Sequence, residues 1–203
     1  MTPPLDPSLQ HAPAATGLRA ALFIDLAGVL LDTAPGSGPH SEQLRGQLPG
    51  LRGGVGAALR LLDRLDYRIV VLGPCALDRR QASHILPDRI ADLLARERVV
   101  LAGCCCCDAT RAPCDACPPD PGLLLRAAQE HGLALTASWL LARDMHYLAA
   151  GRRAGCRTVL VGDGDDAWPA QRPSGSSVDG PAAYQARDIV DAALAIVRLD
   201  GER

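Results

Sequence analysis

Short apolar runs alternate along this chain with stretches whose apolar residues recur at helical spacing, and this alternation restricts the fold more than any other feature. The runs are Leu18 to Ile24, Arg68 to Leu72, Val99 to Ala102, Ser138 to Ala142 and Thr158 to Val161. Between them, Gly54 to Leu65 places Val55, Leu59, Leu62 and Leu65 on one helical face. Asp78 to Arg98 reads as mostly helical with an interruption near Pro87, and Gly122 to His131, Met145 to Ala154 and Ala186 to Leu199 read as further helices. Gly132 marks the end of the third of these. Strands separated by helices require crossovers, which predicts a parallel sheet with helices on both faces. In open sheets of this kind ligands bind outside the carboxyl ends of the strands. Those ends are Asp25, Leu72-Gly73, the segment Gly103 to Pro121, Ala142-Arg143-Asp144 and Gly162-Asp163.

The chain has 203 residues and 48% hydrophobic content, which is ample for the core of one domain with a small insert. Residues 1–17, with prolines at 3, 4, 7 and 13, read as a disordered leader without the layout of a signal peptide, and a cytoplasmic protein is expected. No apolar run reaches the ~20 residues of a membrane span. A net charge of −2 argues against a nucleic-acid binder. All 21 basic side chains are arginines; there is no lysine.

Eight cysteines are present, five of them in the run Cys104, Cys105, Cys106, Cys107 and in Cys114, with Cys117 completing a Cys-x-x-Cys half-site, and Cys75 and Cys156 standing apart. In a cytosolic chain such a cluster is expected to bind metal rather than form disulfides. The segment from Gly103 to Pro121 shows neither helical nor strand period and reads as a cysteine-rich loop insert.

An apolar strand running into an aspartate and a glycine turn occurs at Phe23-Ile24-Asp25-Leu26-Ala27-Gly28-Val29-Leu30-Leu31-Asp32. Further on stand Pro121-Gly122-Leu123-Leu124, Ala127-Ala128, Ser138-Trp139 and the run from Ala149 through Gly151-Arg152-Arg153-Ala154-Gly155-Cys156-Arg157-Thr158-Val159-Leu160-Val161. In these residues, from about Ala20 to Val197, the chain resembles haloacid dehalogenase (HAD) superfamily phosphatases. The branch it resembles contains D-glycero-D-manno-heptose 1,7-bisphosphate phosphatase and the histidinol-phosphate phosphatases. The resemblance implies a HAD-like, Rossmann-like α/β fold in which Gly151 and Gly155 end a helix before a buried strand.

The resemblance also implies a chemistry, against which the residues can be set one by one. An aspartate attacks phosphorus with Mg²⁺ neutralising the transferring group, and a second aspartate moves protons. The nucleophile position is Asp25, and the acid/base position holds Ala27. The phosphate-holding positions fall at Leu72 and Gly73, the lysine position at Pro118, and the metal aspartates at Arg143 and Tyr147. Arg79 matches a family arginine, so Arg79 and Arg143 are expected to bind a phosphorylated sugar. If Mg²⁺ binds, Asp25 and Asp144 are its expected ligands, with Asp163, Asp165 and Asp166 at the same sheet edge a further carboxylate source or plain turn residues. The branch often carries a zinc loop; here zinc is expected on Cys105, Cys107, Cys114 and Cys117, with Cys104 and Cys106 as the alternative first pair and unmetallated loop sulfur as the bland reading. Three functions follow. The first is a catalytically degenerate HAD protein that binds a phospho-ligand or scaffolds an unidentified protein partner. The second is an active sugar-phosphate monoesterase of carbohydrate metabolism that uses Asp25. The third is a zinc-loop interaction module.

Overall fold

The structure, a computed structural model, describes residues 17–32, 50–73, 86–106, 116–162 and 184–200. Six parallel strands form one sheet in the order β3-β2-β1-β4-β5-β6. They are β1 (Ala21–Asp25), β2 (Arg68–Leu72), β3 (Leu101–Cys105), β4 (Trp139–Ala142), β5 (Arg157–Val161) and β6 (Tyr184–Ala186). Among the described residues five α-helices connect or follow them: α1 (Val55–Asp63), α2 (Leu86–Arg96), α3 (Gly122–His131), α4 (Met145–Arg153) and α5 (Ile189–Asp200). Among the described residues no helix is long and apolar enough to cross a membrane.

The sheet is covered on both faces, and this explains why its strands read as unbroken apolar runs rather than as alternating ones. On β1 every residue is buried. Leu22 and Ile24 pack with Val55, Leu59 and Leu62 of α1, Ile90 and Leu94 of α2, and Ile189 and Ile196 of α5. Ala21 and Phe23 point the other way, to Leu123, Leu124 and Ala127 of α3 and Leu148 of α4. Each such leucine or isoleucine contributes ~1.5–3 kcal/mol by leaving water.

The structure departs from the sequence reading in three places, each for a local reason. β3 begins at Leu101 and runs into the cysteine segment, because Gly103, Cys104 and Cys105 pair with Val70, Val71 and Leu72. Cysteines behave there as small apolar residues that fit a covered strand. Tyr184–Ala186 forms a sixth strand rather than a loop leading into a helix, held by main-chain pairing to β5, and α5 starts only after Asp188, whose carboxylate accepts from the Asp191 N–H at 2.8 Å. Of the helix expected over Asp78 to Arg98, α2 is the described part, with Pro87 as its second residue; 78–85 lie outside the described residues. Gly151 does not end α4 but lies within it, since a Cβ there would meet Leu140 Cδ2 at 2.5 Å. Gly155 (φ 86°) follows α4, and Gly132 (φ 63°) caps α3 as expected.

At the amino edge of the sheet one carboxylate ties the starts of three strands together. Asp200, the last residue of α5, accepts from the Trp139 indole at 2.8 Å, from the Arg157 guanidinium and from the Tyr67 hydroxyl. Arg157 also lies over the Trp139 ring, 4.2 Å from its centroid. Burial raises the Asp200 carboxyl, but the hydrogen bonds from Arg157, Tyr67 and Trp139 outweigh it and hold the group at about 2.

Candidate functional site

The chain passes from β1 to β2 on one side of the sheet and from β4 to β5 on the other, so the connections diverge between β1 and β4. Such a switch point opens a crevice at the carboxyl edge. Two of the expected groups stand there: Asp25 ends β1, and Arg143-Asp144 links β4 to α4.

Asp25 is 6% exposed and sits in extended backbone at the head of a five-residue π-helical turn, Leu26–Leu30. Its Oδ1 accepts from the Ala27 N–H at 3.2 Å, and the Arg143 backbone N–H also donates to the carboxylate. Burial dominates its ionisation and pushes the carboxyl up to about 7. The Ala27 hydrogen bond opposes the rise, the Asp144 charge adds to it, and the Arg143 backbone and charge draw it back. Close to neutral pH the group is therefore divided between acid and carboxylate.

Gly28, within the turn, sits at a close approach. A Cβ there would stand 3.0 Å from Arg143 Cβ, 3.1 Å from Arg143 Cδ and 3.1 Å from Asp25 Oδ2. The aliphatic stem of Arg143 thus lies against the turn that presents Asp25, close enough for its charge to act on that carboxylate. Ala27 offers only a methyl group and its backbone at the neighbouring position.

Asp144 caps α4. Its Oδ1 accepts from the His146 N–H at 2.8 Å and lies 2.9 Å from His146 Nδ1. One turn on, Tyr147 is buried and donates its hydroxyl to the Gly73 carbonyl at 2.8 Å. This ties α4 to the end of β2 across the mouth of the crevice. Burial first, and then the charge of Asp25, hold the Tyr147 phenol well above its usual range. Leu72 is fully buried, and Gly73 contributes only backbone.

The cysteines at the end of β3 divide by face. Cys104 and Cys106 pack toward α1 and α2, and Cys105 packs toward α3. The Cys104 thiol is hydrogen-bonded to the Cys106 sulfur, which pushes Cys104 up and Cys106 down. Burial, then the Glu130 charge, push Cys105 up to about 11. Cys117 packs against the same cluster as Cys105. Pro118 is partly buried. Of the expected site residues, Arg79, Cys107, Cys114, Asp163, Asp165 and Asp166 lie outside the described residues, as does Cys75. One contributor was not expected: Arg126 of α3 donates to the Cys106 carbonyl at 2.5 Å, and no local sequence pattern announces a contact across 20 residues.

No protein-family model matches the sequence, and no similar sequence is found among characterised proteins. Solved structures do match. The D,D-heptose 1,7-bisphosphate phosphatase from B. bronchiseptica, complexed with magnesium and phosphate, superposes with a TM-score of 0.64 at 18% identity, over 89% of this chain and 99% of that one. The enzyme of the same name from Burkholderia thailandensis gives a TM-score of 0.59 at 15% identity, over 88% of this chain and 99% of that one. The cobalt-bound deoxy-D-mannose-octulosonate 8-phosphate phosphatase from Haemophilus influenzae gives 0.55 at 15% identity, over 90% of each chain. The chain has the α/β fold of the HAD-superfamily phosphatases, as its sequence led one to expect.

Proposed function

We propose that the chain binds a phosphorylated sugar at the β1–β4 crevice and does not turn it over at an enzymatic rate. The observation that carries this reading is the packing of Arg143 against Gly28 beside Asp25. A guanidinium supplies planar, charge-assisted donors suited to a phosphate. The Leu26–Leu30 turn, whose Ala27 N–H donates to Asp25, begins at the same strand end. Heptose and octulosonate phosphatases among the structural neighbours point to a sugar phosphate as the ligand class.

Turnover needs more than a cradle. General acid/base catalysis contributes ~10²–10⁴-fold, and Ala27 has no proton to give. A nucleophilic carboxylate must be ionised, yet burial keeps Asp25 partly protonated near neutral pH. Magnesium demands near-octahedral hard oxygen ligands and is usually held by one or two carboxylates. Among the described residues the fit is poor: the only carboxylates at the crevice are Asp25 and Asp144, Asp144 is turned to the start of α4, and the Arg143 stem, which carries a cation, packs at Gly28.

Asp25, at the switch point and held by two N–H donors, is the specific observation that favours the second reading, an active sugar-phosphate monoesterase. One experiment separates the two. Purified protein is assayed on p-nitrophenyl phosphate and on a heptose bisphosphate with and without Mg²⁺, beside Asp25→Asn, and its melting is followed with the same sugar phosphate. The expected outcome is ligand-dependent stabilisation that Arg143→Ala removes, without Asp25-dependent turnover. Mg²⁺-dependent hydrolysis that is abolished by Asp25→Asn establishes the monoesterase instead.

A further inference from the structure

We propose that Cys105, Glu130 and His131 form a binding site for a divalent ion of the zinc class, between the edge strand β3 and the last turn of α3. The Cys105 sulfur, a Glu130 carboxylate oxygen and a His131 ring nitrogen all lie within 4.8 Å of one another. Thiolate, imidazole and carboxylate are the three donor types that zinc takes, and bonds of ~2.0–2.3 Å place the donors of a tetrahedral site ~3.5 Å apart. Closing the remaining gap takes about 1 Å of side-chain movement on that geometry. Glu130 and His131 are exposed and can supply it, while Cys105, 4% exposed, is the fixed point.

The backbone builds this arrangement in two steps. The pairing of β2 with β3 slips at one place: Ile69 stands opposite Leu101, but Val70 stands opposite Gly103, leaving Ala102 as an extra residue. A one-residue slip turns every later side chain to the other face. Leu101 accordingly packs with α1 and α2, whereas Cys105, four residues on, packs with α3. The bulge thus aims Cys105 at α3. Gly103, facing the same way, then leaves a hole, and the His131 ring fills it: a Cβ at Gly103 would meet His131 Nε2 at 2.4 Å. The imidazole is held beside the thiol because residue 103 has no side chain.

Little competes for the third donor. Glu130 is paired with Arg126 at 3.8 Å, beyond hydrogen-bond length, with the Glu130 side chain 55% and the Arg126 side chain 42% exposed. Exposed pairs of this kind contribute ~0–1 kcal/mol, so the carboxylate is available to an ion. Two of the three donors are exposed, and a fourth position opens to water. The site is independent of the proposed phospho-ligand crevice. It competes for Cys105 with the all-cysteine set expected from the sequence.

The test uses Co²⁺ as probe on the full chain under reducing conditions. It starts from the variant Cys107→Ser/Cys114→Ser/Cys117→Ser, which cannot form the all-cysteine site. This variant is expected to bind one Co²⁺ with a near-ultraviolet thiolate-to-cobalt charge-transfer band. Adding Cys105→Ser removes the band. Adding His131→Ala weakens binding by at least about tenfold, the lower end of what losing even an outer-sphere partner costs. Gly103→Ala displaces the flexible His131 ring and gives a similar loss with little change in melting temperature. If Cys105→Ser does not fold, His131→Ala and Gly103→Ala still decide. Absence of the band in the triple-serine variant overturns the proposal, and so does a band indifferent to His131→Ala and Gly103→Ala.

Discussion

Asp25→Asn should make the protein's stability less sensitive to pH, in a direction opposite to the usual behaviour of a carboxylate. The folded Asp25 carboxyl titrates at about 7, against an ordinary value of 3.8, because burial penalises its charged form. Between these values the folded state holds a proton that the unfolded chain has released. Stability therefore falls as pH rises through this window and levels off above it. The full shift of about 3 units corresponds to ~4 kcal/mol at ~1.4 kcal/mol per unit. About 2.5–3 kcal/mol of this falls between pH 5 and pH 8. For a chain of this size that is roughly 5–10 °C of melting temperature. Asparagine resembles the protonated acid in shape and does not titrate, so other groups cancel in the comparison. Thermal unfolding of both proteins from pH 5 to pH 8 should show the original chain losing ground steadily to Asp25→Asn as pH increases. A gap that stays constant across that range refutes the reasoning, and so does one that widens in favour of the original chain.

Three other contacts carry expectations of their own. Asp200→Asn should lose ~2 kcal/mol at neutral pH, since its carboxyl is held at about 2 and its stabilisation is present above the ordinary value and lost as pH falls toward 2; denaturant unfolding at pH 7 and pH 2.5 should show the deficit shrinking at the lower pH. Tyr147→Phe strands the Gly73 carbonyl and should cost ~1–3 kcal/mol, read by urea unfolding, with hydrogen exchange rising first where α4 meets the end of β2. Gly28→Ala crowds the Arg143 stem, which must give by a few tenths of an ångström, and should cost ~1 kcal/mol while weakening phospho-ligand stabilisation, read by melting with and without ligand.

What the sequence disclosed and what it withheld divide along a physical line. β1 and its terminal aspartate were legible because a strand covered on both faces must be apolar throughout, and Asp25 breaks that run at its last residue. The parallel architecture was legible because helical and strand periods alternate. The cysteine strand was not, since Gly103, Cys104 and Cys105 carry no period and are held by pairing to β2. Tyr184–Ala186 was missed for the same reason. Gly151 read as a stop, but the lack of a side chain serves close packing on Leu140. At the candidate site, positions 25 and 143–144 were foreseen from strand ends. The contact of Arg143 with Gly28 and the hydrogen bond from Tyr147 to Gly73 were not, because both join residues distant in sequence.

The carboxylate at the foot of the sheet has a consequence for how this protein can change. Asp200 fastens Tyr67, Trp139 and Arg157 from the rim opposite the crevice. The anchoring of the strands is thereby kept apart from whatever acts on a ligand. Replacements near Asp25 can accumulate over generations while the lower rim goes on gripping the strands, so a molecule built in this way can surrender a reaction and still keep its shape.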